Sequence, residues 1–372
     1  MQNVNRVLDR LLGPLNGPLE PARSLPFWLC FLVVVTLLAV LPNFLSRYEL
    51  LNFSNIFSNV FLALGLCLIW GYSGILSLGQ SAFLGLGGYA YGIVGINFIE
   101  THGDTWLALA VGLGFPVLVA AVLGWIMFYG RLKGVYVAIL MLVVTLLIET
   151  FLNQTAGQGW FIGEAHLGGN NGLGRFSGVV SKPPSLTLSF GESLVIFKGS
   201  SLAFYYLVIT LGVVAYLGLR WLVNARFGQV LAGIREDPER TEALGYDIRL
   251  AQLAVFCLAA LLSAISGVLY VSWGNFITPN VFGVFYNILP VIWVAVAGRR
   301  SLTAAALGCI GLVWLSQWLA LQGDLAFVVL GTILVLAMLL KPEGVLIGLG
   351  EAIGRLFDRL GIGRNPRCAD DG

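Results

Sequence analysis

The 372-residue chain has little charge. Asp, Glu, Lys and Arg together make up 11% of it, 58% is hydrophobic, and the mean hydropathy is +0.88; soluble domains carry about 25% charged residues. A water-soluble domain is excluded by that balance. Histidine is almost missing, with 2 residues, and the 5 cysteines are scattered. Cys30, Cys67, Cys257 and Cys309 each lie in an apolar run with no second cysteine at metal-ligand spacing, so they read as small packing residues, not as disulfide or metal ligands. No G-x-x-x-x-G-K-[ST] phosphate loop occurs, so this chain has no nucleotide site of that type. Nor is there a basic stripe with interleaved aromatics, and a net charge of +2 implies no nucleic acid.

What is present in excess is glycine, 47 residues, together with long apolar runs. Helices in lipid use small residues to approach closely, because hydrophobicity cannot drive them together there. Runs long enough to cross about 30 Å of hydrocarbon fall near residues 26–42, 53–71, 75–96, 106–128, 134–152, 202–222, 250–273, 281–297, 303–320 and 325–340. The expected fold is therefore all-α and polytopic, with about ten membrane helices between a tail at 1–25 and a tail at 345–372. Arg6, Arg10 and Arg23 precede the first run, and no small-residue cleavage site follows at Leu41-Pro42-Asn43, which marks an uncleaved span. With the N-terminus in the cytoplasm, only Arg47, Arg175, Lys182 and Lys198 of the 21 Lys and Arg residues fall outside. Every short loop then obeys the positive-inside rule, and both termini are expected in the cytoplasm.

In the third run Ser77, Ser81, Gly85, Gly88, Gly92 and Gly95 recur at helical spacing on one face, either for close packing or to leave room for a solute. Gln80 is a lone amide in that run and needs a partner or water. The stretch Leu76-Ser77-Leu78-Gly79-Gln80 mimics an ABC signature loop but has no nucleotide-binding domain around it, and the glycines at 85–88 sit inside an apolar helix, not at a strand-to-helix turn. Asn52, Asn55 and Asn59 share a face of the second run. Thr145, Glu149 and Asn153 do so on the fifth, toward its outer end, where Glu149 serves either as a helix-pairing, interfacial group or as part of a solute path.

Residues 153–201 form the long external segment, expected to be irregular through its glycine-rich first half and to close in a hairpin over LTLSFGESLVIF (186–197). It is expected either to dock an external partner or to cover the bundle. Ser263, Ser266 and Gly267 again supply small residues, Thr278-Pro279-Asn280 breaks the chain ahead of the eighth run, and Pro290 kinks or interrupts that run.

The one charge-dense island is RFGQVLAGIREDPERTEALGYDIR (226–249), within a cytoplasmic loop at 223–249. Asp237 and Pro238 form a helix start, since Asp accepts from orphan N–H groups and Pro needs none of its own, and Gly245 forms a stop. About two turns fit between them, roughly 10 Å, which makes a short rigid peg.

Three stretches, WGYSGILSLGQSAFLGLGGYAYG (70–92), FGQVLAGIREDPERTEALGYDIR (227–249) and LPVIWVAVAGRRSLTAAALG (289–308), resemble the permease subunits of ABC importers for branched-chain amino acids and for urea, and the resemblance runs over about residues 52–344. It implies a permease without an active site, no cofactor bound by this chain, ATP on two separate cytoplasmic ATPases, a paralogous permease beside it in the inner membrane, and a periplasmic solute-binding protein. Glu242, Ala243 and Gly245 match the family's E-A-x-G-like element. That makes the peg, with Arg235, Glu236, Asp237, Pro238, Glu239 and Arg240, resemble a coupling helix that docks on an ATPase. Ser77, Gln80, Ser81, Gly85, Glu149, Asn153 and Asn275 are the candidate path residues, with Gln80 standing where the family commonly has histidine. WGYSG (70–74), GGNNG (168–172) and WVAVAGR (293–299) lean toward the urea branch, whereas the segment 275–287 does not match it. Branched-chain amino acids are the first reading of the solute, urea or a short amide the alternative, and an autonomous secondary transporter or channel the rival of another class.

Overall fold

The computed structural model describes residues 25–320 except 133, 158, 177, 178, 181, 191 and 192, together with the isolated positions 15, 19, 328, 329, 331, 332, 335, 336 and 339. The helices, in order, are α1 (Leu25–Val40), α2 (Arg47–Leu66), α3 (Gln80–His102), α4 (Trp106–Tyr129), α5 (Val135–Gln154), α6 (Leu202–Asn224), α7 (Arg226–Glu236), α8 (Pro238–Ala243), α9 (Ile248–Gly274), α10 (Val284–Ala297) and α11 (Leu302–Ala320). Among the described residues seven helices are long and apolar enough to cross a membrane, and the stretches Phe27–Asn43 and Val284–Ala297 are shorter apolar helices. The protein is thus an all-α, multi-pass membrane protein. The run expected at 325–340 lies largely outside the described residues.

Local chemistry sets the helix ends. Ser46 and Glu49 close a reciprocal capping box at the start of α2. Asp247 accepts from the N–H groups of Arg249 and Leu250 to start α9. Gly103 (φ 74) and Asn275 (φ 53) end α3 and α9 in the left-handed conformation. Beyond Leu66, α2 continues as a π-helical turn, Cys67–Tyr72.

The core is built on α9, packed against α2, α3 and α4. Backbones meet there because side chains are missing. A Cβ at Gly267 would lie 2.0 Å from the Leu84 carbonyl oxygen, and one at Gly87 would lie 3.0 Å from the Cα and O of Ala264. Arg220, near the end of the 202–222 run, lies within α6 and is fully buried. It donates to Tyr216 Oη (3.0 Å) and the Leu15 carbonyl (2.8 Å) and sits 4.6 Å from the ring centre of Phe27 and 4.8 Å from that of Trp28. A buried guanidinium held this way clamps α1 onto α6.

Two membrane segments depart from their sequence-based expectation. The third span begins at Gln80, not at residue 75, so Ser77 lies outside the helix and off the face that carries Ser81 and the glycines. The eighth run is helical only from Val284; 14 residues reach about 21 Å, short of a full crossing. Its preceding segment, from Phe276 to Gly283, is non-helical apart from a 3-10 turn at Pro279–Phe282 and descends along α3.

The external segment also differs from expectation. The hairpin is present as β5 (Leu186–Phe190) and β6 (Ser193–Phe197) with Phe190 opposite Ser193. The glycine-rich half is not wholly irregular, since β1 (Phe161–Ile162) pairs with β2 (Ala165–His166) and β3 (Arg175–Phe176) with β4 (Val179–Val180). The segment packs onto the bundle: Ala165, Leu167 and Leu173 are buried, and Leu173 exchanges backbone hydrogen bonds with Ile277. The Asn97 side chain ties α3 to Ile162 and Glu164, and Thr105 ties the start of α4 to Thr187.

Candidate functional site

The small-residue face of α3 is a filled groove. From its C-terminal end back, Gly95 faces Pro184, Gly92 faces Leu173 and Pro183, Gly88 faces Ile277 and Val271, and Gly85 faces the ring of Phe282. A Cβ at Gly85 would lie 2.3 Å from Phe282 Cζ. The glycines are therefore the seat of the non-helical segment and of the external loop. One turn further in, the Ser81 hydroxyl donates to Asn287 Oδ1, and the Asn287 amide donates to the carbonyls of Phe282 (3.0 Å) and Gly283 (3.1 Å). Asn287 thereby satisfies all its amide atoms while pinning the entry to α10 onto the start of α3. Gln80 is 2% exposed; its Oε1 is 2.8 Å from the Ser263 hydroxyl on α9, and its Nε2 has no partner among the described residues.

Glu149 lies toward the C-terminal end of α5, as the sequence indicated, yet beside the middle of α3. Gly79 packs on Met141, with a Cβ there 2.8 Å from the Met141 Cβ, which fixes the relative height of α3 and α5. From Met141 to Glu149 α5 rises about 12 Å, the rise of eight residues on α3; Glu149 therefore lies beside Gly85 and Gly87, and α3 continues about 22 Å beyond them to His102. A Cβ on Gly283 would be 3.2 Å from Glu149 Oε1, so the carboxylate abuts the N-terminal end of α10. Asn153 is one turn above, with its Oδ1 buried and unpartnered among the described residues. Tyr89 on α3 is 5% exposed, its hydroxyl likewise unpartnered, and its ring centre is 5.9 Å from that of Phe282. Asn275 lies apart from this cluster: its Nδ2 donates to the Pro183 carbonyl and Ser185 Oγ, each at 3.1 Å, so it ties the end of α9 to the external loop. Ser77 lies in the turn before α3, with its hydroxyl 3.4 Å from the Gly79 N–H.

The opposite end of the bundle gathers the charged residues. The island is a helix pair, not a single peg: Arg235 and Glu236 close α7, and Asp237, in extended conformation (φ −154), is the joint. Asp237 Oδ1 accepts from the N–H groups of Glu239 and Arg240, both at 3.1 Å, and its Oδ2 is 2.8 Å from Arg240 Nε. Pro238 occupies the first turn of α8, and Gly245 (φ +90) turns the chain after it. Arg235 Nη1 donates to the Gly71 carbonyl at 2.7 Å, while its fork holds Glu236 at 2.8 and 3.1 Å. That fork keeps the Glu236 carboxyl below the usual range. Arg299 approaches the same spot, its guanidinium 5.6 Å from the Trp70 ring centre and its carbonyl against Gly71. Glu239, Arg240, Glu242, Ala243, Leu244 and Gly245 face outward and are exposed.

Sequence reasoning found the caps and the glycine face, and missed Phe282 and Asn287. Asn287 had a signal, a lone amide in an apolar run interrupted by Pro290. Phe282 had none, because a phenylalanine in such a run looks like any other.

The family described as branched-chain amino acid transport system, permease component, matches residues 49–339. The chain belongs to this family. Its relatives include the high-affinity branched-chain amino acid transport system permease protein LivM of Escherichia coli, 27% identical over 345 residues that cover 85% of this chain and 74% of that one. The LivM of Salmonella typhimurium is 26% identical over 343 residues, with the same shares covered. A probable branched-chain amino acid transport permease protein LivM of Methanocaldococcus jannaschii is 24% identical over 330 residues, 76% of this chain and 89% of the relative. No solved structure matches the chain. The matched region of this permease takes in α2 through α11, hence both the broken span and the charged helix pair, and leaves α1 outside.

Proposed function

We propose that the chain is the permease subunit of an ATP-driven ABC importer that carries apolar, branched-chain amino acids across the inner membrane. ATP is hydrolysed on two separate ATPases, a paralogous permease completes the membrane part, a solute-binding protein delivers from outside, and the chain itself binds no cofactor. The family match over residues 49–339 carries this reading. The names of the curated relatives favour the amino-acid branch over urea. In this account α7 and α8 are the energy input. The pair is braced on α2 through Arg235 and Gly71, so a push on the exposed face of α8 reaches the span that packs against α9. A capped helix of about two turns transmits such a push without bending.

The test is the ratio of solute carried to ATP hydrolysed by the complete complex. Arg240→Glu removes the partner of Asp237 and reverses the charge of an exposed face; Gly245→Pro forces φ from +90 to about −65. Both variants are expected to insert normally and to lower leucine uptake per ATP at least fivefold. Normal coupling in both sinks the assignment of α8.

A further inference from the structure

The break ahead of α10 has the composition of a receptor for an amino acid. Resting on the reading of the solute as an apolar amino acid, we propose that Glu149 and Asn153 hold the solute's ammonium group, and that the apolar groove over Tyr89 and Phe282 takes its aliphatic side chain. Glu149 and Asn153 stand one turn apart on one face of α5, about 6 Å between side-chain origins. An ionised carboxylate only accepts hydrogen bonds, and the atom of Asn153 left without a partner is also an acceptor. Two acceptors on one face of a membrane helix, both in half-buried residues and one of them charged, call for a cationic donor.

The other half of a zwitterion has its place too. The first N–H groups of α10 have no acceptor within the helix, and the helix is positive at that end. The Tyr89 hydroxyl, in a residue 5% exposed and with no partner among the described residues, is a further donor on α3, where its ring lies against Phe282. Discontinuous membrane helices present such ends to the carboxylates of their solutes. An apolar groove of about 470 Å³ runs along α5 next to Glu149, over Tyr89, Ile93, Ile148 and Phe282, and is open on the side where Leu147 and Phe151 are exposed. It suits a branched aliphatic group; urea, with no apolar part, would leave it empty. Glu149 also abuts the α10 terminus as a cap would, and the two roles separate by chemistry: glutamine keeps an oxygen able to accept from N–H groups but loses the charge an ammonium needs.

The experiment is labelled-leucine uptake by cells holding the complete transporter, scaled to the amount of chain in the membrane. Wild type is compared with Glu149→Gln, Glu149→Asp and Asn153→Ala, and the ATPase activity of each purified complex is measured in parallel. Glu149→Gln is expected to lower uptake at least tenfold with ATPase activity within twofold of wild type. Glu149→Asp retains a measurable part of the uptake, and Asn153→Ala raises the KM for leucine severalfold. Wild-type uptake by Glu149→Gln overturns the proposal. So does joint loss of uptake and ATPase activity in both Glu149 variants, the pattern of a cap required for folding. If Glu149→Gln does not reach the membrane, an unchanged KM in Asn153→Ala overturns it. Failure of the wild type to carry leucine would instead refute the reading of the solute.

Discussion

Gly267 shows how a single missing methyl group sets the spacing of this bundle. A Cβ there would fall 2.0 Å from the Leu84 carbonyl oxygen, a backbone atom that cannot swing away, so α3 and α9 would have to separate. Overpacking of this kind costs about 1–3 kcal/mol. We predict that Gly267→Ala lowers the thermal midpoint of the detergent-solubilised protein, followed by loss of the monodisperse peak, whereas Gly311→Ala, with nothing within 4 Å of the added atom, leaves it unchanged. Equal behaviour of the two would refute the packing account. Gly85 makes a finer test, because its obstacle is a side chain. Gly85→Ala collides with the Phe282 ring, and Phe282→Leu supplies a smaller and more flexible neighbour. The double variant is expected to recover stability lost by Gly85→Ala alone, a coupling readable in a double-mutant cycle. At this scale the sequence was informative where the signal is local: Asp237 and Pro238 announce a helix start, and glycines at helical spacing announce a close approach. It was silent on which residue approaches. Phe282 reaches Gly85 across nearly two hundred residues of chain, and no local pattern records that.

At the scale of elements, sequence reading placed the break at Thr278-Pro279-Asn280 correctly but not the point at which the helix resumes. An apolar run at 281–297 looks like a crossing by composition, yet Pro279, the 3-10 turn after it and Gly283 delay the helix to Val284. The freed backbone is tolerated because it lies against α3, with Asn287 donating to the Phe282 and Gly283 carbonyls, as membrane-depth backbone requires partners within the protein. Asn287→Leu removes these bonds and the acceptor of Ser81 at similar volume. It is expected to abolish uptake and to lower the thermal midpoint, while Ser81→Ala, which removes one bond, does less. A wild-type midpoint in Asn287→Leu would show that the segment is held otherwise. The charged island was legible as an element because charge is scarce elsewhere, but its division into α7 and α8 was not. The extended backbone at Asp237 ends one helix and caps the next, and a capping motif in sequence reports only the second of these events.

At the scale of the molecule, the helices sort their loops into two ends. One end joins Gly71, Arg235 and Arg299; the other joins Thr105 and Asn275 to the external segment. The distribution of Lys and Arg implies that the first end faces the cytoplasm. A reporter enzyme active only outside the cytoplasm is therefore predicted to be inactive when fused after Asn224 and active when fused after Ser201. Pro184, Leu173, Ile277 and Phe282 close the half of the α3 groove nearer its C-terminal end, so on the proposed path these residues would have to move for solute to reach Glu149. The central claim is that this movement is driven from another chain. Proteoliposomes decide it: labelled leucine should accumulate against a gradient only when this chain is reconstituted with its partner permease, its ATPases, the binding protein and ATP, and liposomes holding this chain alone should show no flux above empty ones. Saturable leucine flux through the chain alone, without ATP, would contradict the account.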